Sequence, residues 1–357
     1  MEWIAILKCP FTGNDLRQLT AAEIEGLNGK ISRGELWQAD GKPFTTPLST
    51  GLISVKGDYI YPLINGIVLL LKDLALVDSK ANIMKDTISA DKQLVKDFYD
   101  EKGWFANEKG DYEDAVIFED LRDVTKDYIK KCHDRVSRYL NPSGTYMLDA
   151  ASGALQFPDY LQYSANYKYR ICVDFSFQAL SEAKRKLGDK GICVLCDMTN
   201  MPFKDGRIDG FVSLNTIYHI PKDEQLTAMK ELYRVLAKGG KGVIVYEWFK
   251  HSPWMNFWLV RSRGMMFIKN RLPKLSGKGA SGKLLYFHAH PYQYFKDNLS
   301  FPFRLRVWRT INVPFMKAYI HKALFGKQIL NWLYKKEEAN PEKYGLKGEY
   351  PILLFEK

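Results

Sequence analysis

Tyr146-Met147-Leu148-Asp149-Ala150-Ala151-Ser152-Gly153-Ala154 is the stretch on which the reading of this chain turns. A short apolar run ends in an aspartate and passes at once into small residues. The apolar part suits a buried strand. The small side chains after it let backbone approach a bound molecule closely. The same rhythm recurs downstream. Arg170-Ile171-Cys172-Val173 ends in Asp174 and is followed by a helical stretch over 177–187. Gly191 to Cys196 is a third apolar run, ending in Asp197, and Ile208 to Leu214 is a fourth. A helix over 222–236 then leads through Lys238-Gly239-Gly240 into a fifth run, Gly242 to Tyr246. Short apolar strands alternating with helices predict a parallel α/β sheet covered on both faces.

In such sheets ligands bind outside the carboxyl ends of the strands. Asp149, Asp174 and Asp197 all fall there. Asp174 stands where a carboxylate accepts hydrogen bonds from ribose hydroxyls. Phe175 is placed to lie against an adenine ring, and Asp197-Met198 to meet its edge. The predicted cofactor set is Asp149, Ala151, Ser152, Gly153, Asp174, Phe175, Asp197, Met198 and Asn215.

Leu148 to Gly153 resembles the first motif of class I S-adenosylmethionine (SAM) dependent methyltransferases, usually written with an acidic residue and three glycines. Val173-Asp174 resembles their ribose-binding position. The blocks 196–203, 208–213 and 231–240 resemble later motifs of the same superfamily, in the right order. The resemblance implies a Rossmann-like seven-stranded sheet, SAM as cofactor and methyl transfer as the activity. Two of the three glycines are replaced, by Ala151 and Leu155. An NAD-binding reading fares worse, because its phosphate cradle needs glycines to admit a pyrophosphate at a helix N-terminus. The resemblance also implies an antiparallel end to the sheet, with 303–308 as sixth strand and 350–355 as seventh. Methyl transfer from a sulfonium is an in-line displacement, so positioning supplies much of the rate. A base is needed only where the acceptor loses a proton. His219, after the fourth strand, and His290 are the candidates, with His288 and Glu247 as further groups; a loop or capping hydrogen bond is the plain alternative for any one histidine. Asn215 and Tyr218 are expected to shape the pocket.

Residues 1–78 read as a small β-rich unit, with a turn at Asn65-Gly66. Leu7-Lys8-Cys9-Pro10 and Tyr61 to Val68 resemble small zinc-ribbon proteins that partner or activate methyltransferases. One cysteine and no histidine in this unit cannot supply the four ligands of a structural zinc site, so no metal is expected. Cys193-Val194-Leu195-Cys196 lies in an apolar run and reads as buried strand rather than metal site. Glu2, with no long apolar run after it, predicts no cleaved leader. With five scattered cysteines, the expected environment is reduced and cytoplasmic, with a peripheral place at the membrane as the further option.

The predicted organisation is 1–78, a helical 79–127, a SAM-binding core over 128–311 with an insertion at 250–290, a basic aromatic insertion over 312–349, and a final strand over 350–357. Charge is uneven. Residues 250–357 hold 20 Lys and Arg against 6 Asp and Glu, while residues 1–78 hold 7 against 9. Met316, Ile320, Ala323 and Leu324 are expected on one face of a helix, with Lys317, Lys322 and Lys327 around it. Three readings stand for this basic third: a solvated face, a peripheral contact with an anionic membrane or amphipathic acceptor, or RNA binding. The acceptor expected from the whole is a small molecule, glycan or lipid-linked group. RNA methylation and a degenerate partner module are the alternatives.

Overall fold

The computed structural model describes residues 1–78, 83–84, 119–260 and 286–357. Most of the helical stretch expected over 79–127, and the middle of the insertion expected over 250–290, lie outside them.

The strands β7 (Gly144–Ala150), β8 (Tyr167–Asp174), β9 (Gly191–Leu195), β10 (Ile208–Leu214) and β11 (Leu236–Val245) form one parallel sheet. β12 (Arg304–Arg309) and β13 (Tyr350–Glu356) close it antiparallel. The order is β9-β8-β7-β10-β11-β13-β12. It reverses direction between β7 and β10, so the carboxyl ends of those two strands flank a crevice. This is the Rossmann-like class I methyltransferase sheet that the motifs imply. Each strand is apolar because both faces are covered: Ile171, Cys172 and Val173 are fully buried, as are Val243 to Val245.

Helix α1 (Ala21–Ser32) opens the chain's helices and carries a capping box, Thr20 with Glu23. That T-x-x-E signal was present in a segment read as purely β-rich. Helix α2 (Asp123–Ser137) packs against β12. Helix α3 (Phe177–Leu187) starts at an N-cap made by Ser176, which accepts from the Ala179 N–H at 3.2 Å. Helix α4 (Gln225–Val235) precedes β11.

Residues 1–77 do not stand apart from this sheet. β4 (Ile60–Ile64) and β5 (Ile67–Leu69) form the hairpin expected around Asn65-Gly66. β5 then pairs in parallel with β9, Ile67 to Leu69 against Cys193 to Leu195. β3 (Gly51–Ser54) and β1 (Leu16–Gln18) continue the sheet outward, and the short β2 (Trp37–Gln38) pairs with β6 (Leu76–Val77) off that path. β5 is therefore an inner strand, and both its faces are used. Val68 packs with Val173 and Val194, while Ile67 and Leu69 pack with Cys172 and Leu180. Leu7 forms a bridge with Phe203, and Cys9 lies 3.1 Å from the Tyr61 hydroxyl. Val68→Ala removes two buried methyl groups from this joint. It should cost about 1–2 kcal/mol in urea denaturation and leave one cooperative transition. Two separate transitions would show that the N-terminal unit folds independently.

The single helical face expected for Met316, Ile320, Ala323 and Leu324 is interrupted. Helix α5 (Val313–Tyr319) ends, and helix α6 (Gly326–Ala339) begins after a turn. The His321 carbonyl accepts from both Leu324 and Gly326, and Phe325 takes a left-handed φ of 56°. Met316 and Ile320 are buried as expected, but Leu324 is 60% exposed. The break splits the predicted face. Helix α7 (Pro341–Lys347) follows and packs on β12. Among the described residues no helix is long and apolar enough to cross a membrane.

Candidate cofactor and acceptor site

The loop after β7 carries the first half of the site. Ala151, Gly153 and Leu155 have φ of 55°, 54° and 51°. Left-handed backbone is costly for residues with a Cβ, which is why glycine suits such positions. Here the backbone shape is kept although two glycines are not. Leu155 offsets the strain by burial: it is 2% exposed and packs with Cys172 and Leu180. Lys186, on α3, donates to the carbonyls of Ala154 and Leu155 at 2.8 and 2.9 Å, pinning the loop from outside. Nothing in the spacing of the motifs identifies that lysine.

Asp174 ends β8 and holds this loop in place. Its carboxylate accepts from the Gly153 N–H and the Ser176 N–H, each at 2.9 Å. Ser152 donates its N–H to the Val173 carbonyl at 3.0 Å. The expected ribose-binding carboxylate, Ser152 and Gly153 are thus brought together at one strand end. Phe175 lies partly buried against the cluster of Leu155 and Leu180. Asp197 caps the turn Met198–Asn200, accepting from the Thr199 N–H at 2.8 Å, and Met198 is buried beneath it. Asn215, at the end of β10, has φ 57° and donates its N–H to the Val245 carbonyl. Its Oδ1 is buried without a hydrogen-bond partner among the described residues. A buried acceptor left in that state costs roughly 1–3 kcal/mol unless a ligand or water satisfies it.

Asp149 was expected among the cofactor residues. Its carboxylate is instead engaged by the Arg170 guanidinium, through Nε at 3.1 Å and through Nη2. Arg170 is fully buried in the middle of β8 and also donates to the Tyr160 carbonyl. A buried arginine inside an apolar strand was the available signal, and a carboxylate on the adjacent strand is its natural partner.

Residues 286–290 form a strap across the carboxyl ends of β10 and β11. His288 donates its N–H to the Tyr218 carbonyl, and His290 donates its N–H to the Tyr246 hydroxyl. Gln225 donates to the His288 carbonyl at 2.8 Å. The rings of Tyr218 and Phe287 meet at 5.0 Å, and Phe249 meets Phe287 at 5.1 Å. His219 lies beneath the strap. A carbonyl can only accept, so its Nδ1–H donates to the Tyr286 carbonyl at 2.8 Å, leaving Nε2 as the acceptor nitrogen of a neutral ring. His290 is used differently. Its Nε2–H donates to the Lys222 carbonyl, and the ring stacks on Tyr294 at 3.7 Å.

Burial lowers the His219 pKa to about 4, and the bond to the Tyr286 carbonyl only partly opposes it. The folded state therefore disfavours the proton that the unfolded chain takes up near pH 6.5. The resulting stability is present above pH 6.5 and lost as pH falls towards 4. Discounted for partial exposure, it is worth about 1–2 kcal/mol. Wild type should lose that much more than His219→Gln when urea denaturation is compared at pH 7 and pH 4.5. Equal losses would place the imidazole in contact with water.

Residues 148–244 match the family described as a methyltransferase domain. Together with the strand order, that match places a methyltransferase domain in this part of the chain. The probable tRNA methyltransferase 9B of Mus musculus is 39% identical over 56 residues, 15% of this chain and 12% of its own length. The Homo sapiens protein of the same name is 27% identical over 135 residues, 37% of this chain and 28% of its own. The chain thus aligns with little more than a quarter of either relative at most. Among solved structures, geranyl diphosphate C-methyltransferase from Streptomyces coelicolor A3(2) superposes with a TM-score of 0.43 at 12% identity, over 74% of this chain and 97% of that one.

Proposed function

We propose that the protein transfers a methyl group from SAM to a small or lipid-linked acceptor received beneath the strap 286–290. The observations that carry the cofactor half are the joint of Asp174 with Gly153 and the unsatisfied Oδ1 of Asn215 at the end of β10. A left-handed loop of small residues, a strand-end carboxylate and a buried acceptor are the donor and acceptor set a nucleoside with an amino-acid tail requires. Asp174 would take the ribose hydroxyls, Asp197 and Met198 the adenine, and Asn215 with the 151–153 backbone the amino-acid end. When bound, SAM supplies an electrophilic sulfonium methyl. The chain's own part is positioning and exclusion of water, with Tyr218, Phe249 and Phe287 forming an apolar cover. His219 Nε2, held neutral, would accept a proton from an acceptor that must lose one. Calorimetry with SAM, followed by mass spectrometry of cell extract incubated with labelled SAM, tests both halves. Tight SAM binding with label appearing only in RNA would overturn the acceptor assignment.

RNA methylation is the second reading, favoured by the names of the tRNA methyltransferases that match part of the chain. A radiolabel assay on total tRNA separates it from the first.

A further inference from the structure

Helix α6 carries two unlike faces. Inward, Leu330 and Glu337 are buried; Glu337 accepts from the Tyr128 hydroxyl at 2.6 Å and from Arg135 at 2.8 Å, which anchors α6 on α2. Outward, Phe325, Ile329, Trp332 and Lys336 follow one another at spacings of four, three and four, the repeat of a single helical face. Phe325 is 70% and Trp332 is 58% exposed. Neither the core nor the cofactor site uses this stripe.

A second apolar projection lies nearby in the fold. Helix Pro253–Trp258 ends in Phe257 and Trp258, exposed by 71% and 51%. The Tyr319 hydroxyl donates to the Trp258 carbonyl at 3.0 Å, tying this segment to the end of α5. The turn from Ile320 to Leu324 then links α5 to the stripe on α6. Beside that turn is a cavity of about 440 Å³, lined by Arg122, Lys126, Lys322 and Lys327 against Asp123 and Asp127. Its lining is net cationic. From Leu299 to Lys336 the sequence contains no Asp or Glu at all.

We infer that this face docks on an anionic lipid bilayer. The exposed aromatic and aliphatic tips enter the headgroup boundary, and the cavity by the 320–324 turn receives anionic headgroups. Charge complementarity selects the occupant. A second copy of the chain would bring one net cationic surface against another. A nucleic acid would satisfy the lysines and stack on Phe325 and Trp332, but it would leave the exposed aliphatic Leu324 and Ile329 without an apolar partner. Tryptophan and phenylalanine flanked by lysine are the set that an interface of apolar chains and anionic headgroups takes up.

The test is flotation of the full-length protein with vesicles of phosphatidylcholine alone or mixed with phosphatidylglycerol. Binding should be confined to the mixed vesicles and fall as salt screens the charge. Lys322→Glu with Lys327→Glu should weaken it by roughly a hundredfold, since each lysine contributes about tenfold or less and reversal also repels. Phe325→Ser with Trp332→Ser should weaken it by about tenfold or more at unchanged charge. SAM affinity and thermal midpoint, measured on the same samples, should be those of the parent, which separates this inference from the assignment of the cofactor site. No binding to the mixed vesicles at low salt overturns it. So does vesicle binding that survives both pairs of substitutions, or self-association in solution that the Phe325→Ser and Trp332→Ser pair abolishes. Binding of RNA oligomers without vesicle binding assigns the face to nucleic acid instead.

Discussion

Asp149→Ala should destabilise the protein by about 3–5 kcal/mol, enough to bring a domain of ordinary stability close to unfolding at room temperature. The loss comes from what remains rather than from what is removed. Arg170 is fully buried, and without Asp149 its guanidinium keeps, among the described residues, a backbone carbonyl alone as partner. An arginine does not shed its proton to escape that position. Replacing both groups, Asp149→Leu with Arg170→Met, should recover much of the stability, because apolar pairs of similar volume often match or exceed a buried ion pair. Urea denaturation of the two variants measures the difference. SAM binding by the double variant then decides what else Asp149 does. Parent-like affinity would confine it to the fold, whereas a folded double variant without affinity would return it to the cofactor site. If the single variant is as stable as the parent, the buried pair is misassigned.

The second expectation concerns Asp174. Asp174→Ala should weaken SAM binding by about 1.5–3 kcal/mol, roughly ten- to a hundredfold or slightly more. Two effects act together. A carboxylate that would accept the ribose hydroxyls is lost, and the Gly153 N–H it holds at 2.9 Å loses its partner, so the loop 151–155 is released. Asp174→Asn separates them. Its amide oxygen can still accept from Gly153, at the expense of the bond from the Ser176 N–H, so that variant should keep the loop's tie to Gly153 and lose only part of the affinity. Calorimetry reads both. Unaltered affinity in a folded Asp174→Ala protein would remove the ribose assignment and, with it, the placement of the adenine against Asp197 and Met198.

Much of this site could be read directly from the chain. Apolar runs ending in Asp149, Asp174 and Asp197 announce strand ends, because a carboxylate is rarely tolerated deeper in such a strand. The composition of 303–308 and 350–355 suits strands, while their antiparallel place at the end of the sheet came from the family resemblance rather than from the residues. The role of each aspartate was not legible. All three look alike in sequence, yet Asp149 answers a buried arginine 21 residues on, Asp174 ties a loop, and Asp197 caps a turn.

What the sequence by itself determined is the local alternation of strand and helix, and through it the class of the central sheet. Periodicity, turn residues and small-residue loops act over a few residues and are written there. The tertiary structure alone decided three further matters. It joined residues 1–77 to the sheet through β5 and β9, a pairing between segments 126 residues apart that no local pattern encodes. It broke the helical face expected over 316–324 at His321 to Gly326, where the chain turns so that α6 can lie on α2 through Glu337 and Arg135. It also carried Tyr286 to His290 across the ends of β10 and β11, which fixed the tautomer of His219. In each case long-range burial and hydrogen bonding outweighed local preference. Propensities are worth a few tenths of a kcal/mol per residue, whereas a buried side chain or ion pair is worth several times more.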